Sequence, residues 1–390
     1  MERAARRIVA RLRRHGHEAL FAGGCVRDRI LRRRPQDIDI ATSATPATVA
    51  ALFPRSSMVG ARYGVVQVKL YGRGYEVATF RTEGPYLDGR HPSSVEFATP
   101  VQDAHRRDFT VNALFYDPIT DRVIDYVRGK ADIRNRLIRT VGEPEARFNE
   151  DKLRMLRAVR FACSLGFRIE GRTWEAIREH AREITGVSGE RIRDEILKIL
   201  TGPDPARGLD LLSDSGLLRW VLPEVEAMRG VPQPREYHPE GDVFTHTRLA
   251  LSFLRKPSPT LALATLLHDI GKPPTYAEEE RIRFDGHVEV GARMAAEICR
   301  RLRLSNDQME QIVDLIVHHL RFMHVKDMRV STLRRFMAKP NFRDHLEMHR
   351  VDCMSSHRDM DSYRYCLGRL DELSRQPAPL VPLLRGRDLI

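Results

Sequence analysis

Residues 21–40, FAGGCVRDRILRRRPQDIDI, contain a pattern from which both a fold and a chemistry can be predicted. The apolar run at residues 19–22 has the length of a buried strand, and it leads through Gly23 and Gly24 into a helical pattern. Residues 37–40 alternate polar and apolar as a half-buried strand does, so Asp37 and Asp39 are expected to point to the same face. The segment therefore predicts a strand, a glycine turn, a helix and a second strand that aims two carboxylates at one spot.

Two adjacent carboxylates repel each other unless a cation lies between them. Mg²⁺ suits such a pair because it takes one or two carboxylates and completes its shell with phosphate oxygens and water. Gly23 and Gly24 allow backbone N–H groups to approach an anion at the start of the helix. The segment thus predicts a nucleoside-triphosphate site with Mg²⁺ held by Asp37 and Asp39. Taken alone, Asp-x-Asp is more often a solvated strand face and Gly-Gly a simple turn.

The longer pattern, GGCVRD at residues 23–28 followed by DIDIAT at residues 37–42, is more specific. It resembles the class II template-independent nucleotidyltransferases, meaning the tRNA CCA-adding enzymes and the bacterial poly(A) polymerases. The resemblance implies an α+β fold: a nucleotidyltransferase (polymerase-β-like) mixed sheet with helices at the N-terminus, followed by all-helical RNA-binding and HD domains. It also implies that Gly23, Gly24 and Arg27 hold the triphosphate of CTP or ATP.

Composition favours a polyanionic partner, since 65 Lys and Arg oppose 53 Asp and Glu and give a net charge of +12. With the resemblance, that partner is expected to be tRNA, and no DNA partner is expected. The five cysteines are scattered without a C-x-x-C, which fits reduced thiols in the cytoplasm. The chain contains no apolar run of about 18 residues, so no membrane span is expected. The basic, amphipathic N-terminus is interpreted as a helix of the mature protein.

At 390 residues the chain is long enough for two to four domains. Helix is predicted at 3–14, a mixed region with a hairpin at 65–80 follows, and residues 84–100 are predicted to be a loop. Beyond residue 130, helical patterns dominate at 147–166, 172–184, 189–201, 205–218, 244–254, 261–271, 287–302, 306–319 and 331–338. The predicted domains are a catalytic head (1–130), a nucleotide-selecting and RNA-binding neck (131–230), an HD domain (231–360) and a C-terminal tail (361–390). Many relatives continue beyond such a tail, so a truncated C-terminus is left open.

Residues 106–114, RRDFTVNAL, match a second block of the family. Two guanidinium groups beside a carboxylate suit a site that holds phosphates and a ribose. The resemblance implies that Arg107 contacts the nucleotide and that Asp108 lies near the ribose or the metal, which makes it a catalytic candidate with Asp37 and Asp39. The alternative is a surface cluster of ion pairs.

Residues 150–161, EDKLRMLRAVRF, predict a helix on which Asp151 and Arg154 are neighbours. A carboxylate acceptor and a guanidinium donor can read the hydrogen-bonding edge of a base. The resemblance implies that this pair selects C or A without a nucleic-acid template, and that Arg157 and Arg160 make further nucleotide contacts. The alternative is an ordinary salt bridge on a wet helix face.

Two other segments resemble family blocks less completely. Residues 88–92, DGRHP, correspond to a segment linked to the final A addition, but His91 stands where Arg is frequent. Addition of CCA, CC alone, A alone or poly(A) therefore all stay open. Residues 190–196, ERIRDEI, resemble a supporting helix and are given no chemistry.

The second half contains a separate ordered set of histidines and aspartates. The predicted metal ligands are His246, His268, Asp269, His287, His318 and Asp352. Such nitrogen and oxygen ligands could form one or two sites for a divalent transition metal, and their order resembles the HD phosphohydrolases. His318 is favoured over the adjacent His319. A lone histidine is usually a packed or surface residue, so only the whole set is informative.

The predicted function is addition of C and A from CTP and ATP to the tRNA 3′ end, with HD phosphohydrolase activity as an additional candidate. Poly(A) addition to RNA is an alternative of the same class. A metal-dependent phosphohydrolase whose front domain only binds RNA, and a non-catalytic RNA-binding protein, are alternatives of other classes.

Overall fold

The computed structural model describes residues 1–58, 60, 63–84 and 95–375. They form two compact units, Met1–Val221 and a second that begins at Leu222. The predicted division into four parts is finer than this and stays a prediction. Within the described ranges, every helix is too short or too polar to span a bilayer.

A seven-stranded mixed sheet forms the centre of the first unit. The strands of this unit are β1 (Ala19–Ala22), β2 (Asp39–Thr42), β3 (Ser56–Ser57), β4 (Val65–Leu70), β5 (Arg73–Thr79), β6 (Arg81–Glu83), β7 (Val95–Phe97), β8 (Leu114–Asp117), β9 (Arg122–Asp125), β10 (Leu137–Ile138) and β11 (Arg168–Ile169). The order in the large sheet is β3-β4-β5-β2-β1-β8-β9, while β6–β7 and β10–β11 form separate pairs. Only β2 and β5 are parallel neighbours in the large sheet; its other pairs are antiparallel.

The predicted hairpin at 65–80 is confirmed. Strands β4 and β5 pair from Val65↔Ala78 to Leu70↔Arg73. Tyr71 and Gly72 form the turn with φ of 51° and 73°, as a two-residue hairpin of this twist requires. The predicted loop at 84–100 falls largely outside the described residues, and its described part contains β7.

The helices of the first unit cover the sheet and then continue alone. They are α1 (Glu2–Arg14), α2 (Gly24–Ile30), α3 (Pro46–Leu52), α4 (Pro100–His105), α5 (Gly129–Asn135), α6 (Pro144–Glu150), α7 (Leu153–Leu165), α8 (Gly171–His180), α9 (Gly189–Leu200), α10 (Pro205–Asp214) and α11 (Leu217–Val221), with 3₁₀ turns at Thr110–Asn112 and Ala181–Gly186. Helix α1 forms because Ile8, Val9 and Leu12 recur at helical spacing, and all three are fully buried. Helices α3 and α4 begin with a proline after a capping threonine, Thr45 or Thr99.

The helix predicted at 147–166 is interrupted, which corrects the sequence prediction. Helix α6 ends at Glu150, and Asp151 adopts an extended conformation with φ −151° and ψ 105°. The Asp151 carboxylate accepts a hydrogen bond from the Leu153 N–H at 3.1 Å and so begins α7 afresh. The hydrophobic period runs through this break, which is why the sequence alone did not reveal it.

The second unit is helical apart from one small hairpin. Its elements are α12 (Pro223–Glu226), α13 (Val243–Phe253), α14 (Pro259–Leu267), a 3₁₀ turn (Pro273–Thr275), β12 (Ala277–Glu278), β13 (Ile282–Arg283), α15 (His287–Arg301), α16 (Asn306–His318), a 3₁₀ helix (His319–His324), α17 (Val330–Met337), α18 (Phe342–Ser355) and α19 (Asp361–Arg375). All five helices predicted between residues 244 and 338 are present, each within four residues of its predicted ends. The expected fold class, a mixed sheet with helices followed by helical domains, is confirmed.

Gly129 offers a test of the packing at the start of α5. A Cβ at this position would lie 2.2 Å from the backbone oxygen of Thr110. We expect Gly129→Ala to lower the free energy of unfolding by about 1–3 kcal/mol, because a backbone atom must move to relieve this overlap. Urea unfolding followed by circular dichroism measures the change.

Gly171→Ala is the matched control, because Gly171 also opens a helix and a Cβ there meets nothing within 4 Å. Equal unfolding midpoints for the two variants would contradict the predicted overlap.

Candidate functional site

A cleft with a volume of about 870 Å³ lies within the first unit. The predicted site residues that line it are Gly23, Gly24, Arg27, Asp37, Asp39, Arg107, Asp108, Asp151, Arg154 and Arg157. Segments far apart in sequence therefore meet at one place.

The register of β1 and β2 places the acid pair beside the glycine turn. Ala22 lies opposite Asp39 in the antiparallel pair, and Gly23 follows Ala22 directly. Asp39 is the first residue of β2, so Asp37 lies just before the strand and not within it as the alternation predicted. Both aspartates nevertheless line the cleft, while Ile38 on the opposite face is 4% exposed.

The charges of the acid pair fit a divalent cation. Burial, together with the neighbouring Asp37 carboxylate, raises the pKa of Asp39 to about 6. A cation bound to oxygens of both carboxylates would relieve the repulsion between them. The residues therefore fit the Mg²⁺ site expected from the sequence.

The glycine turn lets arginine side chains approach the backbone closely. Gly23 has φ of +77°, which favours glycine, and its N–H donates to the Leu114 carbonyl at 3.0 Å. A Cβ at Gly23 would lie 3.2 Å from Arg107 Nη1, and one at Gly24 would lie 3.5 Å from Arg27 Nη2. The absence of side chains here leaves space for two guanidinium groups at the start of α2.

Asp108 and Arg157 form a partly buried pair that lines the cleft, with side chains 11% and 32% exposed. Asp108 Oδ2 accepts from Arg157 Nε at 2.9 Å and from Arg157 Nη2 at 2.5 Å. Burial alone would raise the pKa of Asp108, but Arg157 lowers it below its ordinary value. Asp108 is thus an ionised carboxylate engaged with an arginine that also lines the cleft.

The two residues expected to read the base both line the cleft, and each also has a protein partner. Asp151 Oδ2 accepts from Arg191 Nη2 at 2.7 Å. Arg154 Nη1 donates to Glu150 Oε2 at 2.5 Å and to the Arg147 carbonyl at 3.1 Å. The break between α6 and α7, rather than one continuous helix, presents this pair to the cleft.

Arg160 is placed differently from the expectation that it contacts a nucleotide. Its Nε donates to the buried Glu195 at 2.5 Å, and its guanidinium lies 4.0 Å from the centroid of the Phe161 ring. Arg160 follows Arg157 by three positions on α7, but its charge is used to hold α7 against α9.

Among its described residues the second unit has three groups of possible metal ligands, of which the third, His238, Glu240 and His246, shares His246 with the first. The first contains His246, His268 and Asp352, and the second contains Asp269, His287 and His319; within each group the possible ligand atoms lie within 4.8 Å of one another.

Asp269 lies between the first and second groups. Its Oδ2 is 3.3 Å from His268 Nε2, and its Oδ1 is 3.9 Å from both His287 Nε2 and His319 Nε2. His246 Nε2 lies 3.0 Å from Asp352 Oδ1. One carboxylate therefore faces ligands of both groups.

Backbone carbonyls fix the direction of three of these rings. The Nδ1 atoms of His268, His287 and His319 lie 2.7–2.8 Å from the carbonyls of Thr265, Phe284 and Ile316, respectively. Each ring therefore presents Nε2 to the group around Asp269, as metal-ligating histidines do. His287 Nε2 is buried and has no hydrogen-bond partner among the described residues, so the donor set fits a divalent transition metal.

The histidine that lies beside Asp269 and His287 is His319 and not His318. This corrects the prediction from the sequence, which favoured His318. His318 Nδ1 lies 3.1 Å from Asp314 Oδ1, and its ring stacks on Phe336. Helix α16 ends at His318 and a 3₁₀ helix begins at His319, so the two rings leave the backbone in different directions.

Three family models match the chain. They are the Poly A polymerase head domain over residues 19–139, the Probable RNA and SrmB- binding site of polymerase A over residues 166–229, and the HD domain over residues 238–375. The CCA-adding enzyme of Geobacillus stearothermophilus is 48% identical over 211 residues, which are 54% of this chain and 52% of that enzyme. The CCA-adding enzyme of Lactiplantibacillus plantarum is 45% identical over 228 residues, 58% of this chain and 56% of that enzyme.

A crystal structure of the Bacillus stearothermophilus CCA-adding enzyme in complex with CTP aligns with a TM-score of 0.73 and 31% identity, covering 100% of this chain and 86% of that one. The chain belongs to the family of the CCA-adding enzymes. The alignments to the curated CCA-adding enzymes span about half of their length, so the activity of this chain is a separate inference.

In this member of the CCA-adding enzyme family, Arg191 also lines the cleft, and the sequence pattern did not predict it. It lies in the block at 190–196, which was given no chemistry, yet it lines the cleft and holds Asp151. The block's similarity to the family was the available signal. The residues at 88–92, where His91 departs from the family pattern, lie outside the described residues.

Asp103 and Glu240 were also missed. Asp103 is 1% exposed and accepts from Arg106 Nε at 2.8 Å and from Arg107 Nη2 at 2.9 Å. An acid three and four positions before two arginines on a helix was the available signal. Glu240 accepts from His246 Nδ1 at 2.7 Å and His238 Nδ1 at 2.9 Å, and no local pattern in the sequence indicates that contact.

Asp103 provides a test of how the cleft arginines are held. Burial alone would raise the pKa of Asp103, but Arg107 and Arg106 lower it below its ordinary value. We expect Asp103→Asn to lower the free energy of unfolding at pH 7 by about 3 kcal/mol. This is the lower end of the range for breaking a buried ion pair, because both arginines keep part of their side chains in water. The deficit should shrink as the pH falls below about 4, since the wild type then loses the same charge.

Urea unfolding at pH 7 and at lower pH measures this difference. The control is Asp194→Asn. It removes a carboxylate that is 54% exposed and pairs with Arg193, so the free energy of unfolding should change by no more than about 1 kcal/mol. A deficit for Asp103→Asn that matched the control at pH 7, or that grew on acidification, would contradict the role of Asp103.

Proposed function

We propose that this chain adds C and A to the 3′ end of tRNA, using CTP and ATP. The observation that carries the proposal is the meeting of the acid pair, the glycine turn, the arginines and the Asp151–Arg154 pair in a single cleft. Relatives named CCA-adding enzyme, one of them solved in complex with CTP, support it.

In the proposed reaction, the RNA 3′-hydroxyl attacks the α-phosphorus of the NTP, a new phosphodiester bond forms, and pyrophosphate leaves. Asp37 and Asp39 would hold Mg²⁺, which when bound lowers the barrier by neutralising charge on the phosphates. Arg27 and Arg107 bind the triphosphate oxygens, and the backbone N–H of Gly24 adds an uncharged donor, while that of Gly23 is already donated to the Leu114 carbonyl. Asp108 positions Arg157 by the two hydrogen bonds between them.

Asp151 and Arg154 are the proposed base-selecting residues. Cytosine and adenine each carry an amino donor beside a ring nitrogen acceptor, and uracil and guanine lack this arrangement on the same edge. A carboxylate that accepts from the amino group and a guanidinium that donates to the ring nitrogen therefore favour C and A. Arg191 and Glu150, which contact Asp151 and Arg154, act as positioning residues.

We propose that the reaction takes place in the cytoplasm, and the cysteines support this location. All five are buried and free of disulfides, as expected in a reducing compartment.

Poly(A) addition uses the same chemistry, so the length of the product on tRNA and on generic RNA distinguishes it from CCA addition.

Asp39→Asn tests the transferase proposal. We expect the rate of nucleotide incorporation to fall at least 1,000-fold, which is about 4 kcal/mol of transition-state stabilisation. The reason is that one of the two carboxylates for the cation becomes a neutral amide. Incorporation of labelled CTP, ATP or both into tRNA lacking its CCA end is measured on a sequencing gel. Asp307→Asn, at an exposed carboxylate in the first turn of α16, is the control and should leave incorporation unchanged.

Retained incorporation in Asp39→Asn would remove the acid pair from the mechanism. A wild-type chain that binds RNA and adds no nucleotide would instead favour the non-catalytic alternative.

A second candidate function is hydrolysis of a phosphoester at the histidine cluster of the second unit. The specific observation in its favour is that three histidines turn Nε2 toward the buried Asp269 while their Nδ1 atoms contact carbonyls. These ligands would hold a divalent metal, which when bound makes water a stronger nucleophile. Conversion of 2′,3′-cyclic nucleotides to nucleoside 2′- or 3′-monophosphates, followed by chromatography, tests this activity, because water opens one of the two ester bonds and the phosphate stays on the ribose.

His319→Gln tests the metal site directly. We expect it to weaken Mn²⁺ binding by at least tenfold, because one imidazole ligand of the second group is lost. Mn²⁺ titration followed by calorimetry, with metal analysis after dialysis, gives the affinity and the stoichiometry. His318→Gln is the matched control at the adjacent position, and equal Mn²⁺ affinity of the two variants would refute the assignment of His319.

A further inference from the structure

Helix α1 carries a line of exposed arginines that neither the transferase cleft nor the histidine cluster uses. We name it the arginine stripe: Arg3, Arg7, Arg11 and Arg14, all exposed. At 100° per residue the four positions fall within an arc of about 80°, and they extend over about 16 Å along the helix. They form one continuous basic face.

The stripe differs from the other arginines of the same helix. Arg6 pairs with Glu2 and contacts the Pro118 carbonyl, and Arg13 pairs with Asp117 at 3.0 Å. None of the four stripe residues forms an ion pair with a carboxylate in the described part of the chain. The inward arginines thus stabilise the fold, while the outward ones leave four charges unneutralised.

Aromatic side chains support two members of the stripe. The guanidinium of Arg7 lies 5.3 Å from the centroid of the Tyr71 ring, and that of Arg11 lies 5.3 Å from the Phe53 ring. Tyr71 is itself 64% exposed at the tip of the β4–β5 hairpin. Cation–π contacts restrict these side chains without neutralising them, so their charges stay available to a partner.

The surface around the stripe is also basic and reaches the cleft. Arg55, Lys69 and Arg73 are exposed on the neighbouring strands and loops. Arg73 lines a small cavity of about 270 Å³ together with Met1, which precedes α1, and Asp37 of the acid pair. Met1, two residues before the first arginine of the stripe, therefore lies close to a carboxylate that also lines the transferase cleft.

We propose that the arginine stripe binds the phosphate backbone of the RNA whose 3′ end enters the cleft. The inference rests on the proposed function for the identity of the polyanion. Charge complementarity supports it, since a row of unpaired guanidinium groups matches the regularly spaced phosphates of a strand. The stripe supplies affinity and register, and it does not contribute to selection of the base.

An anionic membrane is the other partner that a basic helix can have. Membrane-surface helices bury an apolar face between lipid headgroups. In α1 the apolar residues Ile8, Val9 and Leu12 are fully buried within the first unit, so none is available for insertion. This arrangement favours RNA.

The test is binding of fluorescent tRNA lacking its CCA end to the full chain, without NTP, over a series of KCl concentrations. Each phosphate contact contributes about 0.7–0.9 to the slope of log K against log[salt]. We expect Arg7→Gln/Arg14→Gln to reduce the slope by about 1.5, and substitution of all four stripe residues by Gln to reduce it by about 3.

The matched control is Arg293→Gln/Arg300→Gln, which removes two exposed arginines at the same seven-residue spacing from α15. It should leave the slope unchanged. Circular dichroism melting checks that α1 stays folded in the variants, as expected because Gln is nearly as good a helix former as Arg.

An unchanged slope in the four-residue variant would overturn the proposal, and so would an equal effect of the control pair, which would indicate a dependence on net charge alone. Stripe-dependent flotation with phosphatidylglycerol vesicles, without any change in the RNA slope, would overturn it in favour of a membrane. Nucleotide addition is measured on the same preparations. A wild-type chain that adds no nucleotide, with a slope still dependent on the stripe, would reject the transferase proposal and support the stripe.

Discussion

The site in the first unit depends on the antiparallel pairing of β1 with β2. This pairing sets Ala22 opposite Asp39, so the glycine turn and the acid pair are adjacent by register. A slip of one residue would turn the two aspartates into the core and expose Ile38 and Ile40, which are 4% and 0% exposed. Exposing each isoleucine would cost about 1.5–3 kcal/mol, before any cost of burying a carboxylate. Burial of these two isoleucines therefore fixes the strand register, and the register fixes the position of the two aspartates beside the glycine turn.

Buried carboxylates organise the positive side of the cleft. Asp103 holds Arg106 and Arg107, Asp108 holds Arg157, and Glu195 holds Arg160 on the far side of α7. Without these partners, guanidinium groups around one cleft would repel one another and move toward water. The pairs with Asp103 and Asp108 use part of the donor capacity of Arg106, Arg107 and Arg157, and these three arginines also line the cleft. Preorganisation of this kind suits phosphates, because five donors in a rigid fork leave several free after one pair has formed.

Sequence reasoning succeeded where the information is local. The hairpin at 65–80 and the periodic helices of the second unit follow from the conformations of neighbouring residues, whereas Asp37 lies before β2 and not within the predicted strand. It failed where a distant partner decides. Helix α18 was not predicted because its buried side includes His345 and His349, which hide the apolar period. The contacts of Arg191 and Glu240 depend on tertiary packing, and the choice between His318 and His319 depends on where α16 changes to a 3₁₀ helix.

A net charge of +12 does not indicate where a polyanion binds. In the first unit, the arginines that have acidic partners and those that lack them lie in different places, and this difference indicates which surface is available. In the cleft, arginines are engaged with buried or partly buried acids, and such charges are screened less by salt than exposed ones. On the outer face of α1 they are exposed and lack ion pairs with the described residues, so salt screens them strongly. Chemistry and capture of the RNA would then respond differently to ionic strength, although both use the same side chain. In the proposed function, one residue type serves two purposes because its neighbours differ. A carboxylate partner holds an arginine in the cleft for catalysis, while the exposed arginines of the stripe would bind the phosphates of a flexible RNA strand.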